Sequence, residues 1–160
     1  MSAEVELRFA QKADVPLILD FIREIADFER LSHEVTATVE SLEEAFFGAP
    51  NSPEVVLCFL ESQPVAYAVF YHNFSTFVGK KGLYLEDIYV KPEHRHSGVG
   101  RRIFKFIAKV AVERNCGRME WAVLNWNRPA IRFYENMGAK PLADWTIFRL
   151  KEEEISRVAK

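Results

Sequence analysis

Apolar residues recur every three or four positions in four stretches of the chain, and this spacing predicts four helices. In "DVPLILDFIREIADFERL" (14–31) the apolar positions fall on one face, as in an amphipathic helix. Asp14 and Asn127 are suited to cap a first turn, and Gly48 and Gly138 to end a last turn. The predicted helices lie within 14–31 and at 38–48, 98–114 and 128–137.

Six other runs are rich in β-branched and aromatic residues, which predicts strands. They lie at 5–9, 55–61, 64–74, 83–90, 118–124 and 145–150. Only "SQ" separates the second run from the third, so these two should form a hairpin. The fourth and fifth are joined through a helix, and such a right-handed crossover makes them parallel. The predicted fold class is α+β, with a mixed sheet flanked by helices on both faces and a charged tail that frays.

Length and charge limit the functions that this chain can have. Its 160 residues suit one domain, and its net charge of −2 gives the whole molecule no attraction to nucleic acid or to an anionic membrane. Cys58, Cys116 and four histidines are scattered without metal-site spacing, which predicts a reduced protein without a metal. No apolar run reaches the roughly 18 residues of a membrane helix, so we expect a soluble cytoplasmic protein.

The stretch "RHSGVGRR" (95–102) lies where the strand at 83–90 ends and a helix begins. Glycines at such a point let backbone N–H groups of the helix N-terminus approach phosphate oxygens, assisted by the helix dipole. Between Lys91 and Lys109 six basic residues accompany one acid, Glu93. These features predict an anion site. An ordinary loop before a solvated basic helix face would produce the same pattern, and this alternative stays open.

Two familiar phosphate loops do not fit this stretch. A nucleoside triphosphate loop ends in Gly-Lys-Ser/Thr, whereas Gly100 is followed by Arg101 and Arg102. A dinucleotide fingerprint needs a third glycine where Ile103 stands and an acid at the end of the next strand, but Glu120 falls near the middle of that strand. The anion should therefore belong to a different diphosphate carrier.

The motif at 95–100 resembles the acyl-coenzyme A signature of the GNAT N-acetyltransferase superfamily, Gln/Arg-x-x-Gly-x-Gly/Ala. The stretches "ADFERLSHEV", "YLEDIYV", "VLNWN" and "RFYENMGA" resemble the diamine acetyltransferases, which include spermidine/spermine and thialysine acetyltransferases. The resemblance covers nearly the whole chain. It implies a GNAT fold, one domain over 1–160, acetyl-coenzyme A as the donor, a small primary amine as the acceptor and a homodimer. His96 and Ser97 differ from the residues common in relatives, but their backbone N–H groups remain.

The resemblance also implies which residues bind the donor. Backbone groups of Ile88 and Val90 would pair with it like an added strand, and the loop would hold its pyrophosphate. Asn127 would touch the pantetheine arm. The donor-binding residues so implied are Ile88, Val90, Arg95, His96, Ser97, Gly98, Val99, Gly100, Arg101, Asn127 and Tyr134.

Acetyl transfer to an amine needs two proton movements. A lysine-like amine has a pKa of about 10.4 and must lose a proton before it attacks, and the leaving thiolate must gain one. The resemblance places Glu86 in a water-linked proton path and makes Tyr134 the general acid. The residues alone are also compatible with structural roles, because Tyr134 on an amphipathic helix suits core packing and Glu86 could pair with a lysine.

An acceptor site is expected around three side chains. Asp87 neighbours Glu86 in an otherwise apolar strand, and their side chains should point to opposite faces. By the resemblance Asp87 and Glu29 bind the acceptor, and Trp126 offers a cation–π surface. Arg30 follows Glu29 where polyamine-specific relatives often carry tyrosine, which favours a thialysine-like amine. Glu29 as a solvated residue at a helix end is the alternative.

Three classes of function remain to be compared. The first is an enzyme that acetylates a small amine, with a protein or peptide acceptor as its variant. The second is a non-catalytic coenzyme A sensor, and retention of Glu86, Asp87 and Tyr134 argues against it. The third is nucleic-acid binding by the basic segment 91–109, which the net charge does not favour.

Overall fold

The computed structural model describes residues 4–160, which divide into two compact units. The first unit ends at Ala122, and the second is Val123–Lys160. The first contains β1 (Val5–Phe9), α1 (Val15–Phe28), α2 (Val39–Phe47), β2 (Glu54–Leu60), β3 (Gln63–Ser75), β4 (Lys80–Val90), α3 (Val99–Glu113) and β5 (Met119–Glu120). The second contains α4 (Arg128–Asn136) and α5 (Glu152–Val158).

The five strands form one mixed sheet in the order β1-β2-β3-β4-β5. Neighbours from β1 to β4 are antiparallel, and β4 and β5 are parallel. The predicted hairpin is confirmed as β2 and β3. The parallel pair joined through α3 is confirmed as well.

Helices cover both faces of the sheet, because alternate strand residues point to opposite sides. On one side Phe21 of α1 stacks on Tyr67 of β3, with ring centroids 5.0 Å apart. On the other side Phe106 of α3 packs edge-on against Phe9 of β1 at 5.7 Å. Each helix thus buries its apolar stripe against one face, which confirms the α+β class with a flanked mixed sheet.

Two predicted strands differ in the structure. The strand expected at 118–124 is only Met119–Glu120, because its parallel pairing stops where β4 becomes irregular. No strand forms at 145–150. The second unit contains no other strand with which this segment could pair, and its side chains stay exposed, with Trp145 at 76 % and Phe148 at 91 %.

The charged tail is helical, contrary to the expected fraying. The backbone N–H of Lys151 donates to Oε2 of Glu154 at 2.7 Å, and three glutamates occupy the first turn of α5, where the helix dipole favours negative charge. Within residues 4–160, no helix is long and apolar enough to cross a bilayer. The same residues contain no cluster of three or more metal-ligand side chains.

Candidate active site

A β-bulge in β4 reorients the residues that the sequence assigned to donor binding. Val69 pairs with Asp87 and Phe70 with Leu85, which leaves Glu86 as the extra residue. A bulge of this kind interrupts the regular alternation of a strand. The argument that neighbouring acids point to opposite faces assumed an uninterrupted strand, so it does not apply at Glu86.

The bulge also changes which backbone groups of β4 face outward. The N–H of Leu83 donates to Arg118 on the β5 side, whereas the N–H of Lys91 donates to Val65 on the β3 side. Both positions are odd-numbered, so a regular strand would point them the same way. Beyond the bulge, therefore, the N–H and C=O groups of Ile88 and Val90 point away from β3.

This outer edge of β4 is not covered by β5. The two strands pair only at Leu83 and Tyr84, so Ile88 and Val90 lie past the end of that ladder. The carbonyl of Val90 accepts from Arg95, which leaves the N–H and C=O of Ile88 and the N–H of Val90 on this edge. Such groups at a strand edge can bind another extended chain. The edge therefore suits an extended amide-containing ligand, at the two positions predicted for it.

The loop after β4 leads into a helix N-terminus that lacks a side-chain cap. Gly98 is the N-cap of α3, with φ +87°, a conformation that glycine adopts without strain. The first N–H groups of α3 have no partner inside the helix, and Gly98 has no side chain to satisfy them. His96 also lies in the left-handed region, at φ +64°. Together these N–H groups form a site suited to an anion.

The side chain of Arg95 turns back from this loop toward β4 and α1. Its Nε donates to the carbonyl of Val90 at 3.0 Å. Its guanidinium carbon lies 4.5 Å from the ring centroid of Phe28 and 5.5 Å from that of Tyr89. This side chain thus links the loop to the end of α1, while the backbone N–H of Arg95 donates to the carbonyl of Pro92 at 3.2 Å.

Two predicted acceptor residues, Glu29 and Asp87, influence each other in the first unit. Asp87 lies on β4 and accepts a hydrogen bond from the Tyr67 hydroxyl at 2.8 Å. Burial raises the pKa of Asp87, although this hydrogen bond lowers it. Burial also raises the pKa of Glu29, and the negative charge of Asp87 raises it further. Two partly buried carboxylates whose ionisation is disfavoured in this way favour a cation between or beside them.

Glu86 differs from Asp87 in its exposure to solvent. Its negative charge adds to burial in raising the pKa of the Tyr71 phenol. It also raises the pKa of Tyr67, where burial, Asp87 and Glu29 contribute more. Glu86 therefore influences two tyrosines of β3, while water can still reach its carboxylate.

Three predicted site residues lie in the second unit. Asn127 caps α4, since its Oδ1 accepts a hydrogen bond from the N–H of Ala130 at 3.3 Å. Trp126 directly precedes this cap and is exposed. Tyr134 lies on α4, with its ring centroid 5.4 Å from that of Phe133. The grouping of these residues with Glu86 stays a prediction of the resemblance.

Tyr67 is the member of this site that sequence reasoning missed. It lies inside "VAYAVF", where an aromatic residue fits an ordinary buried strand. Only the pairing of β3 with β4 brings its hydroxyl to Asp87. No local pattern in the sequence signals that contact.

Comparisons with known proteins agree on one family. A model of the Acetyltransferase (GNAT) family matches residues 19–139. The thialysine N-epsilon-acetyltransferase of Bos taurus is 36% identical over 98% of both chains, and the L-ornithine N5-acetyltransferase NATA1 of Arabidopsis thaliana is 28% identical over 96% of this chain and 87% of its own length. Among solved structures, an aminoglycoside acetyltransferase from a soil metagenome matches with a TM-score of 0.77 and 17% identity, over 92% of this chain and 97% of its own.

Proposed function

The chain belongs to the acetyltransferase (GNAT) family and is an acetyl-coenzyme A-dependent N-acetyltransferase, and we propose that its acceptor is a primary amine of a small thialysine-, lysine- or diamine-like molecule. The observation that carries this proposal is the pair of acids Glu29 and Asp87. The pKa values of both are raised, and Asp87 directly precedes the open edge of β4. Such a pair suits an acceptor with a second cation. Thialysine and ornithine, named in the relatives, are amines of this kind.

The donor fits the edge of β4 and the start of α3. Bound acetyl-coenzyme A supplies an acetyl group activated as a thioester. The outward N–H and C=O of Ile88 and the N–H of Val90 would hold an extended pantetheine arm, which carries amides, as an added strand does. Backbone N–H groups from His96 to Arg101 would bind its pyrophosphate at the uncapped N-terminus of α3, and Asn127 would contact the arm.

Proton transfer falls to two residues of this chain. Glu86 is exposed, so a water molecule bound to its carboxylate can carry the proton away from the acceptor ammonium. Tyr134 would donate its phenolic proton to the leaving sulfur: a phenol with a pKa of about 10 is protonated at neutral pH, and its pKa is within about two units of that of a free thiol, about 8.5. The assignment of Tyr134 rests on the family resemblance.

The acceptor is held by charge. Asp87 and Glu29 would bind its ammonium groups, and an arriving cation favours the ionised form of both acids. Trp126 would add a face for a cation or a methylene chain. The homodimer and the cytoplasmic location stay predictions.

The test is a thiol-release assay with acetyl-coenzyme A and a panel of lysine, thialysine, ornithine, putrescine, spermidine and a lysine-containing peptide. We expect one or more of the small diamino compounds to exceed the peptide in kcat/KM. Tyr134→Phe should lower kcat at least tenfold while donor binding, measured by calorimetry, stays close to wild type. A preference for the peptide would reject the small-molecule acceptor. Equal loss of binding and turnover in Tyr134→Phe would place that residue in packing.

A further inference from the structure

Tyr67 joins three elements of the first unit at one point. It lies on β3, and its ring stacks flat on Phe21 of α1 at 5.0 Å and 7°. Its hydroxyl donates to Oδ2 of Asp87 on β4 at 2.8 Å. The residue is fully buried, at 0 % exposure. A ring that is packed on its face and bonded at its tip has little freedom to turn, so the hydroxyl is fixed in position.

The Tyr67 hydroxyl remains a hydrogen-bond donor at neutral pH. Burial, followed by the charge and the hydrogen bond of Asp87, raises the pKa of this phenol well above its usual value. A neutral phenol that donates to a carboxylate favours the ionised form of that carboxylate. The hydrogen bond therefore opposes the effect of burial on Asp87.

We propose that Tyr67 is a positioning residue for the acceptor amine: it holds the Asp87 carboxylate by Oδ2 and so leaves Oδ1, together with Glu29, to the ammonium group of the substrate. The inference rests on the proposed function, in which Asp87 binds the acceptor. A carboxylate fixed through one oxygen is ordered before the substrate arrives, and preorganisation of this kind strengthens binding. Because Tyr67 is fully buried, it acts through Asp87 rather than by touching the substrate.

The charged groups that act on this pair come from the elements packed around it. Glu29 follows the last residue of α1, and Glu86 precedes Asp87 on β4. Both add negative charge that raises the pKa of Tyr67, and the charge of Asp87 disfavours the ionisation of Glu29. The Tyr67 hydroxyl counters this repulsion at Asp87, and an acceptor cation would add to the same effect.

Replacing Tyr67 with phenylalanine removes the hydroxyl and keeps the ring. At neutral pH the acceptor KM of Tyr67→Phe should rise roughly tenfold with a smaller change in kcat, since a hydrogen bond to a charged group is lost. The acid limb of its kcat/KM profile should move up by about one pH unit, because Asp87 loses a bond that favours its ionised form. Thiol release with the best acceptor of the panel, followed across the pH range, measures both quantities. Tyr89→Phe removes a hydroxyl that bonds to Glu24 instead of Asp87 and that belongs to a ring packed on the same Phe21; it is the matched control and should keep the acceptor KM and acid limb of wild type.

An unchanged KM and acid limb in Tyr67→Phe would overturn the proposal, and so would an equal shift in the control. Failure of the proposed function is a distinct result, in which the wild-type protein releases no thiol with any amine. If Tyr67→Phe does not fold by circular dichroism, wild-type protein labelled with [13Cζ]tyrosine takes its place. The chain has five tyrosines, so substitution of the other four assigns Tyr67. Its resonance should move as Asp87 titrates and when the acceptor is added; a resonance insensitive to both contradicts the role.

Discussion

Asp87 carries its charge at a cost to the folded protein. Burial raises the pKa of this carboxyl despite the hydrogen bond from Tyr67, so the folded chain keeps the proton to a higher pH than the unfolded chain does. The stability that this group contributes is fully present below its ordinary pKa and is lost as the pH rises through the raised folded value. At neutral pH, ionised Asp87 therefore lowers the free energy of unfolding.

Asp87→Asn should be more stable than wild type at neutral pH and a poorer enzyme. The amide oxygen can still accept from Tyr67, while the buried charge is gone. Urea unfolding should show the gain at pH 7 and its loss below about pH 4, where the carboxyl is protonated in both states. The acceptor KM should rise at least tenfold, as expected when a charged partner of an ammonium is removed. Asp20→Asn, on the exposed side of α1, should change neither; lower stability of Asp87→Asn at pH 7 would contradict the cost assigned to the charge.

Single residues differ in how far the sequence reveals them. Asp87 is visible because an acid interrupts an apolar strand, and such an exception calls for a partner or a function. The role of Tyr67 cannot be predicted in this way, because tyrosine is a common residue in strands. Its role depends on the register that sets Val69 against Asp87, and register is a property of two strands together.

At the scale of elements, α1 ends in a turn that holds a non-glycine residue in the left-handed region. The N–H of Leu31 donates to Ala26, and the N–H of Arg30 donates to Asp27. This is the Schellman arrangement, in which glycine is the usual residue. Arg30 occupies that position with φ +62°, next to Glu29, which is a predicted acceptor residue.

Arg30→Gly is expected to raise the free energy of unfolding by about 0.5–1 kcal/mol. A left-handed conformation costs a non-glycine residue roughly 1–2 kcal/mol, part of which glycine loses again in folding entropy. Arg23→Gly makes the same change inside α1 and should lower stability by about 1 kcal/mol. Urea unfolding of the two variants should therefore give opposite signs. A loss of stability in Arg30→Gly would mean that contacts of the Arg30 side chain outweigh the backbone strain.

The ends of a helix could be predicted from the sequence where the residues of that helix determine them. Asn127 caps α4 as expected, and Gly138, with φ +92°, directly follows its C-cap. The failures concern elements that need a partner. The apolar run at 145–150 has no strand beside it in its unit, and the bulge at Glu86 arises from the fit of β4 to β3. That bulge decides which backbone groups of β4 point away from β3, although no turn residue or glycine marks it.

For the whole molecule, sequence and structure agree on the family and on the chemistry that it performs. The GNAT fold implied by a six-residue motif is confirmed by the family match and by the solved structures, and the acetyl-coenzyme A-dependent enzyme is confirmed by the relatives. The roles of individual residues, the single domain and the homodimer stay predictions. Donor binding is the easiest of these predictions to test, because the predicted pyrophosphate site consists of backbone N–H groups on both sides of Gly98.

Coenzyme A should stabilise the molecule through the turn at Gly98, and a pair of glycines allows this to be isolated. At 100 times its Kd, a ligand of the folded state adds about 2.7 kcal/mol to the free energy of unfolding, which raises Tm by roughly 5–10 °C in a chain of this size.

Gly98 and Gly79 both have positive φ, +87° and +67°, and an added Cβ at either meets no atom within 4 Å. Alanine should therefore cost similar stability at each, about 1–2 kcal/mol. Only Gly98→Ala should also lose most of the rise in Tm with coenzyme A, because strain at the N-cap displaces the N–H groups that bind its pyrophosphate. Equal rises in the two variants, measured by differential scanning fluorimetry, would show that these N–H groups do not hold the donor.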